Sequence, residues 1–159
     1  MPKKSDGGAV LVGRKNQIQE FIVLSIDSDG ETLWQNSYSS PYAISSKKVD
    51  TSEDGSILVT SIVTIDDVKY LYAMKLDSGG TVIWQYTYSE TEYWQLRDAI
   101  LYEDGSSTIV TSKNLFPELG GIGSQILRLN ADGTIRWEKY YYHQDELGIY
   151  DIHEIEDQA

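Results

Sequence analysis

Two histidines and a few acids carry most of the chemistry this sequence could do. His153 stands in the string Asp151-Ile-His-Glu154, and His143 follows a run of tyrosines ending at Tyr142. A carboxylate beside an imidazole can move protons or hold a metal ion, because the neutral ring offers one donor and one acceptor nitrogen. No serine-centred nucleophile motif accompanies either histidine, so no catalytic residue is assigned. Asp27, Asp29, Asp77 and Asp132 lie in short Asp/Gly turns and raise the question of calcium, which takes about six to eight oxygens. A four-residue turn supplies few, and Asp77-Ser-Gly-Gly80 lacks a second carboxylate. Turn chemistry is the preferred reading, and neither a metal nor another cofactor is expected.

Composition narrows the classes. The chain has 159 residues, a net charge of −12 and no cysteine. The charge argues against nucleic acid and against anionic membrane surfaces, both of which call for basic stripes. The missing thiols exclude disulfides, thiol catalysis and cysteine-based zinc sites. No apolar run approaches the length of a membrane span. The first residues, Met-Pro-Lys-Lys-Ser-Asp-Gly-Gly, contain nothing like the apolar stretch of a signal peptide. They open abruptly inside a repeat, which favours an excised piece. Twelve tyrosines and four tryptophans stand against two phenylalanines. Such rings suit half-buried sheet surfaces and wet binding faces, since each has a polar handle.

The elements that position these groups are set by the repeat. Asp27-Ser-Asp-Gly30-Glu-Thr-Leu-Trp34 returns as Asp77-Ser-Gly-Gly80-Thr-Val-Ile-Trp84 and as Asn130-Ala-Asp-Gly133-Thr-Ile-Arg-Trp137. The tryptophans are 50 and 53 positions apart, and a second marker recurs as Asp6-Gly7, Asp54-Gly55 and Asp104-Gly105. Periods of this size mean a solenoid, propeller or array. Runs rich in Val, Ile, Thr, Tyr and Trp, bounded by Gly, Asp and Ser, read as four short strands per unit, and no segment has a sustained helical period. The chain is therefore expected to be all-β, a β-propeller with three four-stranded blades of about 50 residues.

If the strands are labelled A to D from the channel outward, A is expected at 43–49, 95–101 and 149–155. B is expected at 9–13, 57–64 and 107–111, C at 21–26, 70–76 and 125–129, and D at 32–38, 81–88 and 134–141. The leg from each tryptophan to the next Asp-Gly is 20 positions, whereas the other leg is 28, 30 and 33. Length variation thus sits in the B–C loops, 14–20, 65–69 and 113–124. The last of these, around Asn114-Leu-Phe-Pro, is expected to be a contact or interface loop. Loops that vary on one face are often the binding face.

The string Leu-Asp-x-x-Gly-x-x-x-Trp-Gln, preceded by Ser-x-Asp-Gly, resembles the Trp-Gln-type propeller repeats of bacterial and archaeal surface proteins. These are grouped with the quinoprotein-alcohol-dehydrogenase-like superfamily. The resemblance spans nearly the whole chain and implies a cell-surface or extracellular setting. It makes Asp27, Gly30, Trp34, Asp77, Gly80, Trp84, Asn130, Gly133 and Trp137 blade-building positions. No acidic and amide cluster of the kind that holds a quinone and its calcium is present, so catalysis does not carry over.

Three blades are too few, since propellers close with roughly four to eight. The whole chain, 1–159, reads as a half-propeller with repeats at 6–53, 54–103 and 104–157. It opens on a B strand and closes on an A strand, a permutation that latches rings shut. A homodimer forming a six-bladed ring is the expected partner arrangement, which also covers the strand edges.

Positions that differ between repeats are the candidate site. Tyr42, Tyr93, Trp94, Tyr142 and His143 fall in the D–A connections and suit a carbohydrate or protein ligand on the loop face. Lys48, Asp98 and Asp151 align in the A strands and are expected to line the channel, with Arg97 and His153 nearby. The favoured expectation is a non-enzymatic scaffold that binds through the loop face. The alternatives are a quinoprotein- or hydrolase-like enzyme with its site at the central channel, and a designed or excised fragment with no ligand.

Overall fold

A computed structural model describes residues 7–14, 19–40, 42–88, 93–116, 121–141 and 149–153, though not the side chains of 43, 45–47, 93–94, 113–116 and 121–122. The described residues contain eleven strands and no helix. The first sheet is β1 (Ala9–Arg14), β2 (Glu20–Ile26) and β3 (Thr32–Ser39). The second is β4 (Ala43–Thr51), β5 (Ile57–Ile65), β6 (Val68–Leu76) and β7 (Val82–Tyr88). The third is β8 (Tyr93–Leu101), β9 (Ser107–Phe116), β10 (Gly121–Leu129) and β11 (Ile135–Tyr141). Each is an antiparallel meander, so an all-β, propeller-like architecture stands.

The Asp-x-x-Gly segments join the third and fourth strands of each unit as type I turns closed by a left-handed glycine. Gly30, Gly80 and Gly133 have φ of 85°, 83° and 84°. The glycine N–H groups donate to the carbonyls of Asp27, Asp77 and Asn130 at 3.2, 3.1 and 3.0 Å. A register shift follows at the same place each time, at Ser25/Ile26, Lys75/Leu76 and Arg128/Leu129. This is the bulge that a left-handed residue imposes on a hairpin. The carboxylates are consumed locally. Asp77 Oδ1 accepts from the N–H of Gly79 at 2.9 Å and of Thr81 at 2.8 Å, and these bonds hold its carboxyl below the ordinary value.

Two of the expected B–C loops are not loops. β5 and β6 meet at a two-residue turn, Asp66-Asp67, with φ of 47° and 64° at both positions. Paired left-handed residues give a turn whose twist matches the strands, and Asp tolerates that region better than most residues. In the third unit the ladder runs on to pair Phe116 with Gly121, with a bulge between Gly121 and Ile122. Backbone pairing absorbs the added length as a longer hairpin, and only 117–120 fall outside the described residues.

Burial follows the stacking of sheets. In β2 every second residue is buried, with Phe21 at 1% and Val23 at 0% exposure, as expected for a sheet covered on one face. The second sheet is covered on both. Ile57, Val59, Val63, Tyr72 and Met74 join Val10, Phe21 and Val23 in one cluster. Their alternate neighbours Leu58, Ile62, Leu71 and Ala73 join Leu96, Ile109, Leu127 and Leu129 in the other. Hence β5 and β6 read as nearly continuous apolar runs, whereas β2 alternates.

The repeated tryptophans fasten one sheet to the next. Trp34 Nε1 donates to the Ser78 carbonyl at 3.0 Å, and Trp84 Nε1 to the Ala131 carbonyl at 2.9 Å. Four residues further on, Tyr38 and Tyr88 hydroxyls donate to the carbonyls of Gly80 (2.5 Å) and Gly133 (2.7 Å). The glycine is required for the fit as well as for φ. A Cβ on Gly80 would lie 2.9 Å from the Trp34 ring, and one on Gly133 2.8 Å from that of Trp84.

The expected A strand at 149–155 is the main correction to the fold. Residues 149–153 are not strand, and 154–155 lie outside the described residues. A strand needs a ladder partner for its N–H and C=O groups, and no B strand of a following blade lies beside this segment among the described residues. The segment nevertheless occupies an A-strand place. Ile149 N donates to Ser124 Oγ at 2.9 Å and Ile152 N to Asp98 Oδ2 at 3.2 Å. Ser124 is the repeat equivalent of Leu71, against whose cluster the equivalent of Ile149, Leu96, packs.

Candidate functional site

The inner strands β4 and β8 lie side by side, and residues 149–153 follow β8 in the same order. Together they line an open cavity of about 520 Å³, formed by residues 49–51, 98–101 and 151–153. Of the three aligned charged positions, Asp98 and Asp151 line this cavity and Lys48 does not, although its ammonium stands beside Asp98. Strand alternation makes this possible, since equivalent positions on neighbouring inner strands face the same way.

The row is electrostatically graded. Lys48 Nζ stands 4.0 Å from Asp98 Oδ1, with Lys48 about half exposed. At that distance and exposure the pair contributes little to stability. Asp98 is the more buried carboxyl, and burial raises its pKa; a hydrogen bond with Asp151 raises it further. Asp151 is shifted the other way, downward, chiefly by that same bond and then by the N–H of Ile152. The two neighbouring carboxyls are thus shifted in opposite directions, Asp98 toward its neutral form and Asp151 toward its ionised one. His153 Nε2 lies 3.0 Å from Asp151 Oδ2 on the exposed side. The result is two oppositely shifted carboxyls with an imidazole beside the second, groups of the kind used in proton transfer.

Sequence reasoning missed one member. Asp50 is two residues beyond Lys48 on β4 and lies on the cavity wall. Its Oδ2 accepts from the Leu101 N–H at 2.7 Å, tying β4 to β8. Desolvation raises its pKa against that hydrogen bond. The signal was present: Asp50, Ile100 and His153 share one repeat position and differ in all three units. Arg97 turns away from the cavity. Its Nε donates to Ser112 Oγ at 2.6 Å, and its guanidinium sits 4.6 Å over the Tyr150 ring.

The loop-face residues fare differently. Tyr42 is half-buried against the cluster between the first two sheets, so its ring is used in packing. Tyr93 and Trp94 open β8, with side chains outside the described residues, as are Tyr142 and His143 altogether. Asp27, Asp77 and Asn130 with Gly30, Gly80 and Gly133 hold turns, and Trp34 and Trp84 fasten sheets, whereas Trp137 is exposed. Among the described residues no group of three or more His, Asp or Glu is arranged to hold a metal ion.

No protein-family model matches the chain, and no curated protein does. Among solved structures it is similar to the lignostilbene dioxygenase of Pseudomonas brassicacearum, with a TM-score of 0.58 and 13% identity, over 89% of this chain and 37% of that one. At that identity the likeness is one of fold, and the chain spans little more than a third of its neighbour's length. It nonetheless corrects one expectation. The protein it resembles in fold is an enzyme, and the ionisable groups gather on the inner strands. The reading as a non-enzymatic module binding through its loop face therefore gives way to the channel alternative.

Proposed function

We propose that the chain builds the channel site of an enzymatic β-propeller, three blades to a chain and six to a ring, and that the site performs acid–base hydrolysis. The gathering of Asp98, Asp151 and His153 on one cavity wall, with Lys48 beside Asp98, carries this reading, and the opposite shifts of the two aspartates agree with it. Asp98 serves as the acid that protonates a leaving group, and Asp151 as the base that takes a proton from water. His153 orients Asp151, while Lys48 favours an anionic or carbonyl oxygen beside Asp98. The blade strings further support kinship with the Trp-Gln-type repeats, in which Trp34 and Trp84 with Gly80 and Gly133 here fasten neighbouring sheets.

The test is turnover of a panel of chromogenic esters, glycosides and phosphate esters by the purified chain. Asp98→Asn and Asp151→Asn are each expected to lower kcat/KM by roughly 10²–10⁴-fold on the substrate that is turned over. Lys48→Met should mainly raise KM. No turnover of any class, or turnover indifferent to both aspartates, would sink the reading.

A further inference from the structure

Each sheet-to-sheet contact in this molecule uses a donor side and an acceptor side, and one of each is left over. The donor side left over belongs to the third sheet. Trp137 and Tyr141 are the equivalents of the Trp34/Tyr38 and Trp84/Tyr88 pairs, yet they are 38% and 40% exposed, against 8% and 7% for Trp84 and Tyr88. Neither finds an acceptor carbonyl of the kind used by the other two pairs among the described residues. Arg128 tells the same story. Its equivalent Lys75 reaches the Gly105 carbonyl of the following sheet at 3.1 Å, whereas Arg128 folds back 3.8 Å over its own Tyr102 and onto Ser106 and Thr108.

The acceptor side left over belongs to the first sheet. Gly30 is equivalent to Gly80 and Gly133, which each hold a tryptophan ring within 3 Å of a built Cβ, but around Gly30 nothing lies within 4 Å. Among the described residues, the inner edge of β1 pairs with no strand, although β5 and β9 are both flanked by an A strand. Residues 149–153, meanwhile, lie in an A-strand place with no B strand beside them among the described residues.

We infer that the third sheet of one copy docks on the first sheet of a second copy. Trp137 Nε1 then donates to the Ser28 carbonyl of the second copy, Tyr141 to its Gly30 carbonyl, and 149–153 pairs with its β1 as β4 pairs with β5. The two junctions already inside the chain argue for a second copy as the occupant, because the leftover surfaces match their missing halves. The same junction made twice closes two copies into a ring. One consequence rests on the channel reading above: Lys48 of the second copy comes to stand beside Asp151, as Lys48 stands beside Asp98, so the site is complete only in the pair.

Sedimentation equilibrium of the chain from nanomolar to micromolar concentration tests this. A limiting mass twice the 18.0 kDa of the chain is expected. Trp137→Ala should weaken the dimer by at least about 10-fold, as loss of a central tryptophan does. Its circular dichroism should be unchanged. Hydrogen exchange should report protection of β1 and 149–153 in the wild-type dimer and its loss in Trp137→Ala. A monomer throughout, an open series of larger species, or a dimer unmoved by Trp137→Ala would overturn the inference. A wild-type dimer that turns over no substrate would leave the junction standing and remove the channel reading alone.

Discussion

Trp84→Ala is expected to cost about 3–5 kcal/mol of folding stability, the range for truncating a large buried aromatic. The ring is 8% exposed and lies in the cluster that joins the second and third sheets. Its removal opens a cavity between Leu71, Leu127 and their neighbours and leaves the Ala131 carbonyl without the indole N–H that reaches it at 2.9 Å. The substitution acts at the contact that makes the two sheets one cooperative unit. Urea unfolding should therefore move to a lower midpoint, and a biphasic transition would report that the third sheet now melts first. Trp137→Ala is the internal control. That ring is already 38% exposed, so in the dissociated chain its loss should cost under about 1 kcal/mol. Equal losses at the two positions would contradict the fastening role assigned to the repeat.

Gly133→Ala should cost about 2–5 kcal/mol, from two sources that can be separated. The first is backbone conformation: φ is +84°, and an L residue held there pays about 1–2 kcal/mol. The second is space, because the new methyl would sit 2.7 Å from Tyr86 and 2.8 Å from Trp84, both part of the inter-sheet contact. Overpacking of this kind costs about 1–3 kcal/mol. Gly30→Ala isolates the first source, since φ is +85° and no atom lies within 4 Å of its built Cβ. Measured in the dissociated chain, it should lose only the conformational part, about 1–2 kcal/mol. A Gly133→Ala loss no larger than that of Gly30→Ala would mean that the tryptophan and tyrosine rings move aside freely.

Much of this architecture was legible because the repeat fixes the register of turns. Asp27, Gly30 and Trp34 with their equivalents mark the same hairpin in each unit, and local turn chemistry is enough to read it. The row Lys48, Asp98 and Asp151 was legible for the same reason: equal spacing from the tryptophans puts equivalent residues on equivalent strands. What escaped depends on neighbours that spacing does not specify. The segment 149–153 carries an A-strand sequence, but its backbone needs a partner strand that is not beside it. The Asp66-Asp67 turn was hidden because the count from Asp-Gly to the next Trp gives the length of a leg and not how strands divide it. Asp50 was overlooked because it breaks the repeat, and its burial against the Leu101 N–H arises only when β4 meets β8. Tyr42 looked like a loop-face aromatic, yet packing against the first two sheets takes it up.

The opposite shifts of Asp98 and Asp151 have opposite consequences with pH. Asp98 is raised, so its contribution to stability is complete below the ordinary carboxylate range and fades as pH rises through its folded value. Asp151 is lowered, so its contribution is present above that range and fades as pH falls through its folded value. The two opposed directions bound the window in which the proposed acid and base coexist. Carboxyl-detected NMR titration of Asp98 and Asp151, with Asp98→Asn and Asp151→Asn to assign the signals, measures this directly. The expected result is one carboxyl titrating above and one below the ordinary aspartate value, with the remaining one returning toward that value in each single variant. Two carboxyls titrating together at the ordinary value, each indifferent to loss of the other, would contradict the opposed shifts and with them the acid–base site.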